Sequence, residues 1–329
     1  MAGQRAAFEP RMILLGKENT EGAGAVPALI ATSVLLTENS SAQIGVGDSR
    51  ENKYDSNKAG SRNNPIETTN LQNKITFDTP FAFSAVPGTP GPLDNLLLCC
   101  GYDVVHDAVA KTSVYTPAAL SSIDTVHASM RADESGGKDI EYASKGMRAI
   151  FNLSIAIGER IKLNGINLEG SYIRPNEVNH LDENLGTQLN NLIASCSADS
   201  INAVTLDGKA LCLESLNISN TGGLTLTKSN MSCEDAVIAD ATSPDGTVIY
   251  RKPNYTTEFN PFELGESHIT QKSVALVFEI TTTGVGKLKI EAQVQPLETQ
   301  RTKLKDSTSG ISQKLKFLEV PTLTLSEAV

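Results

Sequence analysis

Two adjacent cysteines, Cys99 and Cys100, and the nearby His106 are the residues whose types and spacing first suggest chemistry. They could bind a metal ion or form a redox pair. Neighbouring helical residues point about 100° apart, so both thiols cannot reach one ion while the helix stays wound. The remaining cysteines lack metal-ligand spacing, and no C-x-x-C motif occurs. The spacing therefore predicts neither a metal site nor a cofactor.

The same stretch has the pattern of a short helix, which we predict over residues 92–100. Its apolar positions follow the i, i+3, i+4, i+7 rhythm of one helical face: Leu93, Leu96, Leu97 and Cys100. Gly101 follows, and glycine readily adopts the left-handed conformation that ends a helix.

Other possible catalytic motifs fail on their spacing. The four histidines lie in unrelated contexts, outside any H-E-x-x-H or recognisable nucleophile motif. The fragment GVGK at 284–287 resembles a phosphate-binding loop, but Leu288 stands where Ser or Thr is required. No paired carboxylates stand out. We therefore predict that the protein is not an enzyme and acts in assembly or recognition.

The composition describes a long, acidic chain. It has 329 residues with 28 Lys and Arg against 38 Asp and Glu, a net charge of −10, and no Trp. This length allows two ordinary domains or one large one. The negative charge opposes nucleic-acid binding, because such proteins neutralise phosphates with Lys and Arg. The apolar run Met12–Leu15 is too short for a signal peptide or membrane span, so we expect folding in a reducing cytoplasm.

Alternation of apolar and polar residues predicts a mainly β fold. It is clear at 71–81, 147–157 and 273–295. Residues 126–143 and 273–293 align as strand, glycine-containing turn and strand, and this shared element order suggests a duplication.

The sequence pattern changes near the middle of the chain, because residues 174–200 lack the alternation of apolar and polar residues that is typical of strands. We therefore predict an N-terminal β-domain over 1–178, a linker over 179–200 and a C-terminal β-domain over 201–329.

Residues 39–68 form a polar excursion after a predicted first strand at 28–38. We expect a long loop, and a loop of about thirty residues in a compact domain is usually functional or disordered.

Taken in this order, the elements resemble a phage major tail tube protein of the long, non-contractile siphovirus type. The resemblance is carried by LLGKENTEGAGAVP at 14–27, the polar excursion, the helix ending LLLCCGYDV and, most specifically, KGMRAIFNLSIAIGERIKLNGINLEGSYIRP at 145–175. It covers most of the chain. It implies two tandem tail-tube-like domains, each a β-sandwich or barrel with little helix, and a long inter-ring loop after the first strand.

The resemblance also implies a function. Subunits of this family form rings in which a sheet continues from one subunit to the next, and closure of the ring removes exposed strand edges. The rings stack into a hollow tube that delivers genome DNA to the host. The implied partners are other copies of the chain, a tape-measure protein, and tail terminator and distal tail proteins. DNA passes through the lumen without specific binding, and no membrane is involved. The implied location is the virion tail, after assembly in the host cytoplasm.

Roles for particular residues follow from the same resemblance. The loop at 39–68 would reach an adjacent ring, and its candidate contact residues are Asp48, Arg50, Tyr54, Lys58 and Arg62. The helix face of Leu93, Leu96, Leu97 and Cys100 would pack onto the sheet and border the next subunit. If both halves are tube-like, three chains make a ring with six quasi-equivalent positions. If the C-terminal half is a decoration, six chains make the ring.

A different class of function stays open beside the tail tube. The chain could be a β-rich tail or baseplate adhesin or a glycan-binding module. Such a module needs an aromatic-rich concave site, whereas aromatic residues make up only 5% of this sequence.

Overall fold

Antiparallel strands account for most of the chain. The computed structural model describes residues 12–22, 34–51, 66–134, 138–179, 192–197, 200–228, 237–255, 257–266 and 272–328. Two short α-helices occur in these ranges, α1 (Asp94–Cys99) and α2 (Pro261–Gly265). The predicted mainly β fold class is confirmed. None of the described helices is long and apolar enough to cross a membrane.

Most strands of the first half are connected in one order of antiparallel pairing. The strands of this half are β1 (Met12–Lys17), β2 (Val34–Leu36), β3 (Glu38–Glu51), β4 (Ile66–Pro80), β5 (Tyr102–Asp107), β6 (Thr112–Pro117), β7 (Val126–Glu134), β8 (Lys138–Ala156), β9 (Glu159–Arg160), β10 (Lys162–Tyr172) and β11 (Asn176–Asn179). Antiparallel pairing runs in the order β3–β4–β10–β8–β7–β1–β2. Thr37 alone separates β2 from β3, so the last strand of this order continues along the chain into the first strand. We call this set of strands the first unit.

The second half repeats this construction. Its strands are β12 (Ser195–Cys196), β13 (Ile201–Leu206), β14 (Lys209–Ala210), β15 (Leu213–Ser219), β16 (Leu224–Lys228), β17 (Val237–Ala241), β18 (Asp245–Arg251), β19 (Val274–Thr282), β20 (Gly286–Lys303), β21 (Ser309–Phe317) and β22 (Thr322–Ser326). Antiparallel pairing runs in the order β15–β18–β21–β20–β19–β13–β14. Only residues 211 and 212 separate β14 from β15, so here too the last strand of the order continues along the chain into the first strand. We call this set of strands the second unit.

Corresponding strands of the two units occur in the same chain order. Strands β1, β2, β3 and β4 correspond to β13, β14, β15 and β18, and strands β7, β8, β10 and β11 correspond to β19, β20, β21 and β22. With this correspondence, seven antiparallel pairs of the first unit recur in the second unit: β1–β2, β1–β7, β7–β8, β8–β10, β10–β4, β4–β3 and β8–β11. A helix also follows β4 in the first unit and β18 in the second. The pairing pattern of the first unit therefore recurs in the second.

Two strand pairings join the units. The end of β8 pairs with β15, and β6 pairs with β22. One contiguous apolar cluster includes residues of both units, among them Phe151 and Phe278. Because sheet and core both cross the predicted domain boundary, the halves are not separated by a bare linker. The division into two tandem domains stays a prediction, and residues 180–191 of the predicted linker lie outside the described residues.

Alternation along the strands explains which side chains are buried. In β1, Ile13 and Leu15 enter the main cluster, whereas Leu14 points to the other face and joins a small cluster with Val34. β1 was not predicted as a strand, because only its short run at 12–15 is apolar. β10 contains a β-bulge at Gly165, where its register shifts and φ is +58°.

The prediction of a polar loop over 39–68 was wrong for the described residues. Residues 38–51 and 66–80 are instead the two strands of a hairpin, β3 and β4. The sequence of β3 has no regular alternation of apolar and polar residues, so it lacks the signal that predicts a half-buried strand. Residues 52–65 lie outside the described part of the chain.

Candidate functional site

The hairpin of β3 and β4 extends beyond its pairing with β10. The last pairing of β4 with β10 is at Gln72, but β3 and β4 continue to pair as far as Glu51 and Ile66. We call residues 46–51 and 66–71 the arm. Six residues of strand at about 3.3 Å each give the arm a length of roughly 20 Å. A projection of this kind is suited to contact another molecule.

The arm contains part of the predicted inter-ring contact set. Asp48 lies opposite Thr69 and Arg50 opposite Glu67 in the β3–β4 register. Tyr54, Lys58 and Arg62 lie outside the described residues. The contact role of these five residues stays a prediction.

A buried asparagine fixes the base of the arm. Asn73 is fully buried, and its amide nitrogen donates to the carbonyl oxygens of Ala143 at 2.7 Å and Ile173 at 3.3 Å. Its side-chain oxygen accepts from the backbone nitrogen of Gly45 at 3.1 Å. These bonds connect both strands of the hairpin to β8 and to the chain after β10, so the base of the arm is hydrogen-bonded to the rest of the first unit.

The predicted subunit-border helix lies inside the core of its own chain. Leu93, Leu96, Leu97 and Cys100 are at most 1% exposed and belong to the main cluster, so the prediction that this face packs onto the sheet is confirmed. Gly101 has φ +90° and ends the helix as expected. Within α1 only Asn95 and Leu98 are partly exposed. A border with another subunit stays a prediction, and it would have to use that side of the helix.

The paired cysteines also lie in the core. Cys99 and Cys100 are fully buried, and the Cys99 thiol donates to the carbonyl oxygen of Leu96 at 3.1 Å. Burial, together with the neighbouring Cys99, raises the pKa of the Cys100 thiol. A protonated, enclosed thiol behaves as a small apolar group. Among the described residues, no group of three or more His, Cys, Asp or Glu could hold a metal ion.

A polar cluster that sequence reasoning missed connects α1 with the β5–β6 hairpin. Asp94 Oδ1 accepts from the Tyr115 hydroxyl at 2.5 Å, and its Oδ2 lies 2.9 Å from His106 Nε2. His106 Nδ1 lies 2.9 Å from Ser113 Oγ. Burial raises the pKa of Asp94, although the bonds from Tyr115 and His106 oppose the shift. The signal was present in the sequence, because residues 106 and 113 face each other once the hairpin is recognised.

The cluster has the serine, histidine and aspartate of a hydrolase relay but is suited to a structural role. Ser113 is 3% exposed, and the cavity that it lines has a volume of about 10 Å³. This volume is at the limit for a single water molecule, so a substrate carbonyl does not fit beside the hydroxyl. The Asp94 carboxylate also accepts from Tyr115, which no relay requires. The arrangement instead clamps the start of α1 to the hairpin.

The junction between the two units is the most extensive candidate assembly geometry. β15 adds to the edge of β8 with Leu216 opposite Ile155 and Asn217 opposite Ser154. The Ser154 hydroxyl bonds Asn217 Oδ1 at 2.8 Å across this junction. Leu216 and Ile155 are fully buried. One unit can therefore extend the sheet of another through backbone hydrogen bonds, a polar surface pair and a shared core.

The comparisons with known proteins add no family assignment. No protein-family model matches the chain, and a search of curated proteins finds no significant match.

Proposed function

We propose that the chain is a structural protein of a phage tail, which polymerises as stacked rings into the hollow tube through which genome DNA is delivered. The observation that carries the proposal is the junction of β8 with β15, where one copy of a repeated strand pattern extends the sheet of the other. A ring requires the same operation, repeated between chains until the last edge meets the first. Closure leaves no exposed edge in the ring.

The repeated strand pattern favours three chains in each ring. If each chain contributes two similar units, three chains supply the six quasi-equivalent positions of the proposed ring. A decorating second half would not need the seven antiparallel pairings of the first half in the same chain order.

The arm supports stacking of one ring on another. It projects by roughly 20 Å from a base fixed by Asn73. An arm of this length extends past the end of its pairing with β10. We propose that it contacts the adjacent ring.

The charge of the chain is consistent with a conduit. A net charge of −10 disfavours retention of DNA, because a phosphate backbone is repelled by a surface of the same sign. DNA would therefore pass through the lumen without specific binding. We propose the virion tail as the location of the assembled protein, with tape-measure, terminator and distal tail proteins as partners.

Negative-stain electron microscopy of the purified chain, from dilute to concentrated solution, tests the proposal. We expect rings or hollow tubes that increase with concentration, with three chains in the averaged end view. A monomer at every concentration, with and without a cognate tail initiator complex, would refute the tail-tube function.

A variant of the arm tests its stacking role separately. Residues 47–70 are replaced by Asn-Gly, a pair that favours a tight hairpin turn. We expect single rings in place of tubes, while the circular dichroism spectrum and melting temperature stay close to the parent values. Tubes of normal length from this variant would show that stacking does not need the arm.

One observation favours a glycan-binding module as the second candidate. An open groove of about 650 Å³ lies between Lys209, Arg251 and Phe259, and half-exposed Tyr255 lines an adjoining groove. Aromatic faces beside polar groups can bind sugar rings. A glycan array distinguishes the two functions, since specific binding that Tyr255→Ala abolishes, by a chain that forms no rings, would favour the module.

A further inference from the structure

The internal junction indicates where a second copy of the chain would bind. In that junction the end of β8 in the first unit pairs with β15 in the second. The strand of the second unit that corresponds to β8 is β20, and the strand of the first unit that corresponds to β15 is β3. Repetition of the junction therefore places the end of β20 against β3. Within one chain this pairing is absent from the described strand ladders, so it requires two chains.

The matching ladders fix the residues on the β20 side. The β4–β10 ladder ends with Pro80 opposite Lys162, and the corresponding β18–β21 ladder ends with Arg251 opposite Gly310. On the other side of β10 and β21, Lys162 lies opposite Ser154 and Gly310 opposite Thr302. Thr302 is thus the counterpart of Ser154.

The same alignment fixes the residues on the β3 side. With Arg251 matched to Pro80, Thr247 matches Thr76. Thr247 lies opposite Asn217, and Thr76 lies opposite Ser41. Ser41 is thus the counterpart of Asn217, and the pair Ser154–Asn217 of the internal junction becomes Thr302–Ser41 between chains. Both pairs can form a hydrogen bond between polar side chains.

The β20 edge is available for such a pairing. β19 covers one edge of β20 as far as Val294, and β21 covers the other edge as far as Lys303. Beyond Val294 the first edge has no ladder partner in the described part of the chain. The helix α2 lies against Thr299, whose hydroxyl donates to the carbonyl oxygen of Pro261 at 3.4 Å, whereas Gln300, Arg301 and Lys303 are exposed. The end of β8 has the same position past β7, and there β15 fills it.

The β3 edge is the complement of this one. β15 lies between β18 and β8, whereas β3 has β4 as its one ladder partner among the described strands. A strand edge with backbone groups directed outward is a template for another strand. The two edges are the two ends of the sheet that the internal junction extends.

We infer that residues 301–303 of β20 add antiparallel to β3 of a second copy, with Thr302 opposite Ser41. The inference rests on the proposed ring and names the contact that closes it. The interface is heterologous, because it joins two different surfaces of identical chains: each chain presents β20 to one neighbour and β3 to the other. Such head-to-tail contacts close into a ring when the rotation per chain allows it.

Cysteine cross-linking tests the pairing. The background carries Cys212→Ser, which removes an exposed thiol, and Cys233→Ser. Chains with Ser41→Cys are mixed with chains with Thr302→Cys, assembled and oxidised, because directly opposed residues of two antiparallel strands approach closely enough for a disulfide. We expect a disulfide-linked dimer and no larger product on a non-reducing gel. The double variant in one chain should give a ladder that ends at three chains.

Two matched variants calibrate the result. Ser154→Cys with Asn217→Cys reproduces the internal junction and should close a disulfide within one chain. Thr302→Cys mixed with Val109→Cys, whose side chain is 95% exposed on the β5–β6 hairpin, should give no dimer. Cross-linking in this second mixture equal to that of the test pair would show that collisions, and not the strand pairing, produce the dimer.

The outcomes separate the pairing from the function. Rings in the microscope without the Ser41–Thr302 cross-link, while the internal control closes, would overturn the pairing and leave the tail-tube function standing. Failure of ring formation in the parent chain would overturn both. A ladder that ends at six chains would retain the pairing and overturn the three-chain ring.

Discussion

Removal of the Asp94 carboxylate should destabilise the fold through the clamp between α1 and the β5–β6 hairpin. Asp94→Ala leaves the Tyr115 hydroxyl, in a residue that is 2% exposed, without its acceptor and removes the contact with His106 Nε2. A hydrogen bond to a charged group contributes about 1.5–3 kcal/mol. Because Asp94→Ala also removes the cost of burying the carboxylate, we expect a net loss of about 2–4 kcal/mol. Tyr115→Phe, which removes one bond, should cost about 1–2 kcal/mol.

The clamp should also give the stability a pH dependence of known sign. Burial raises the pKa of Asp94 above its ordinary value of 3.8. As the pH rises past 3.8, the unfolded state releases its proton first, so ionisation favours unfolding until the folded group has also titrated. The wild type should therefore lose stability relative to Asp94→Asn as the pH rises through this window. Above the folded pKa the difference should become constant.

Urea denaturation followed by circular dichroism measures these changes at a protein concentration below that of assembly. Asp103→Ala removes an exposed carboxylate from the same hairpin and should change the unfolding free energy by less than about 0.5 kcal/mol. If Asp94→Ala is as stable as the Asp103 control, or if Asp94→Asn follows the wild-type pH profile in parallel, the clamp does not stabilise the fold and the reasoning fails.

Two further predictions concern backbone positions held by close contacts. A Cβ at Gly101 would lie 2.9 Å from Leu224 Cδ1, whereas one at Gly158 meets nothing within 4 Å, and both residues have positive φ. Gly158→Ala should lower the free energy of unfolding by about 1–2 kcal/mol through backbone strain, and Gly101→Ala should lower it by about 1–3 kcal/mol more through overpacking. Thermal melts measure both losses. Equal losses would contradict the close approach at Gly101. Glu18 accepts from Gly22 N and Thr125 Oγ1, both at 2.9 Å, and from Gly146 N, so Glu18→Ala should cost about 2–4 kcal/mol in urea titrations. Glu21→Ala, whose exposed carboxylate pairs with Arg148, should cost under about 1 kcal/mol, and a loss as large as that for Glu18 would count against the distinction.

Elements with one buried face could be predicted from the sequence. The helix at 92–100 was found within two residues of its observed bounds, because its apolar face and the glycine that ends it are both local signals. The hairpins β7–β8 and β19–β20 follow from alternation around glycine-containing turns. Their ladders have one face in the core, which is the condition under which a period of two residues is visible.

Features that depend on distant partners could not be predicted in this way. The arm sequence is mostly polar and does not alternate regularly, so its pairing left no periodic signal. The clamp joins Asp94, His106 and Ser113, whose relation appears only when α1 lies beside the hairpin. The repeat of the two units is a property of pairing order, which the element order at 126–143 and 273–293 only suggested. Sequence similarity between the units is not needed for it.

The arm has a practical consequence for image reconstruction of the proposed three-chain ring. It belongs to the first unit, whereas the corresponding connection of the second unit contains the β16–β17 hairpin, from which Val237 accepts a hydrogen bond from Arg148 of the first unit. Averaging with sixfold symmetry would superimpose these unlike connections. Density for the shared strands would stay sharp, while density for the arm would fall to about half of its occupancy. Threefold averaging would restore the arm and reveal which of the two connections faces each neighbouring ring.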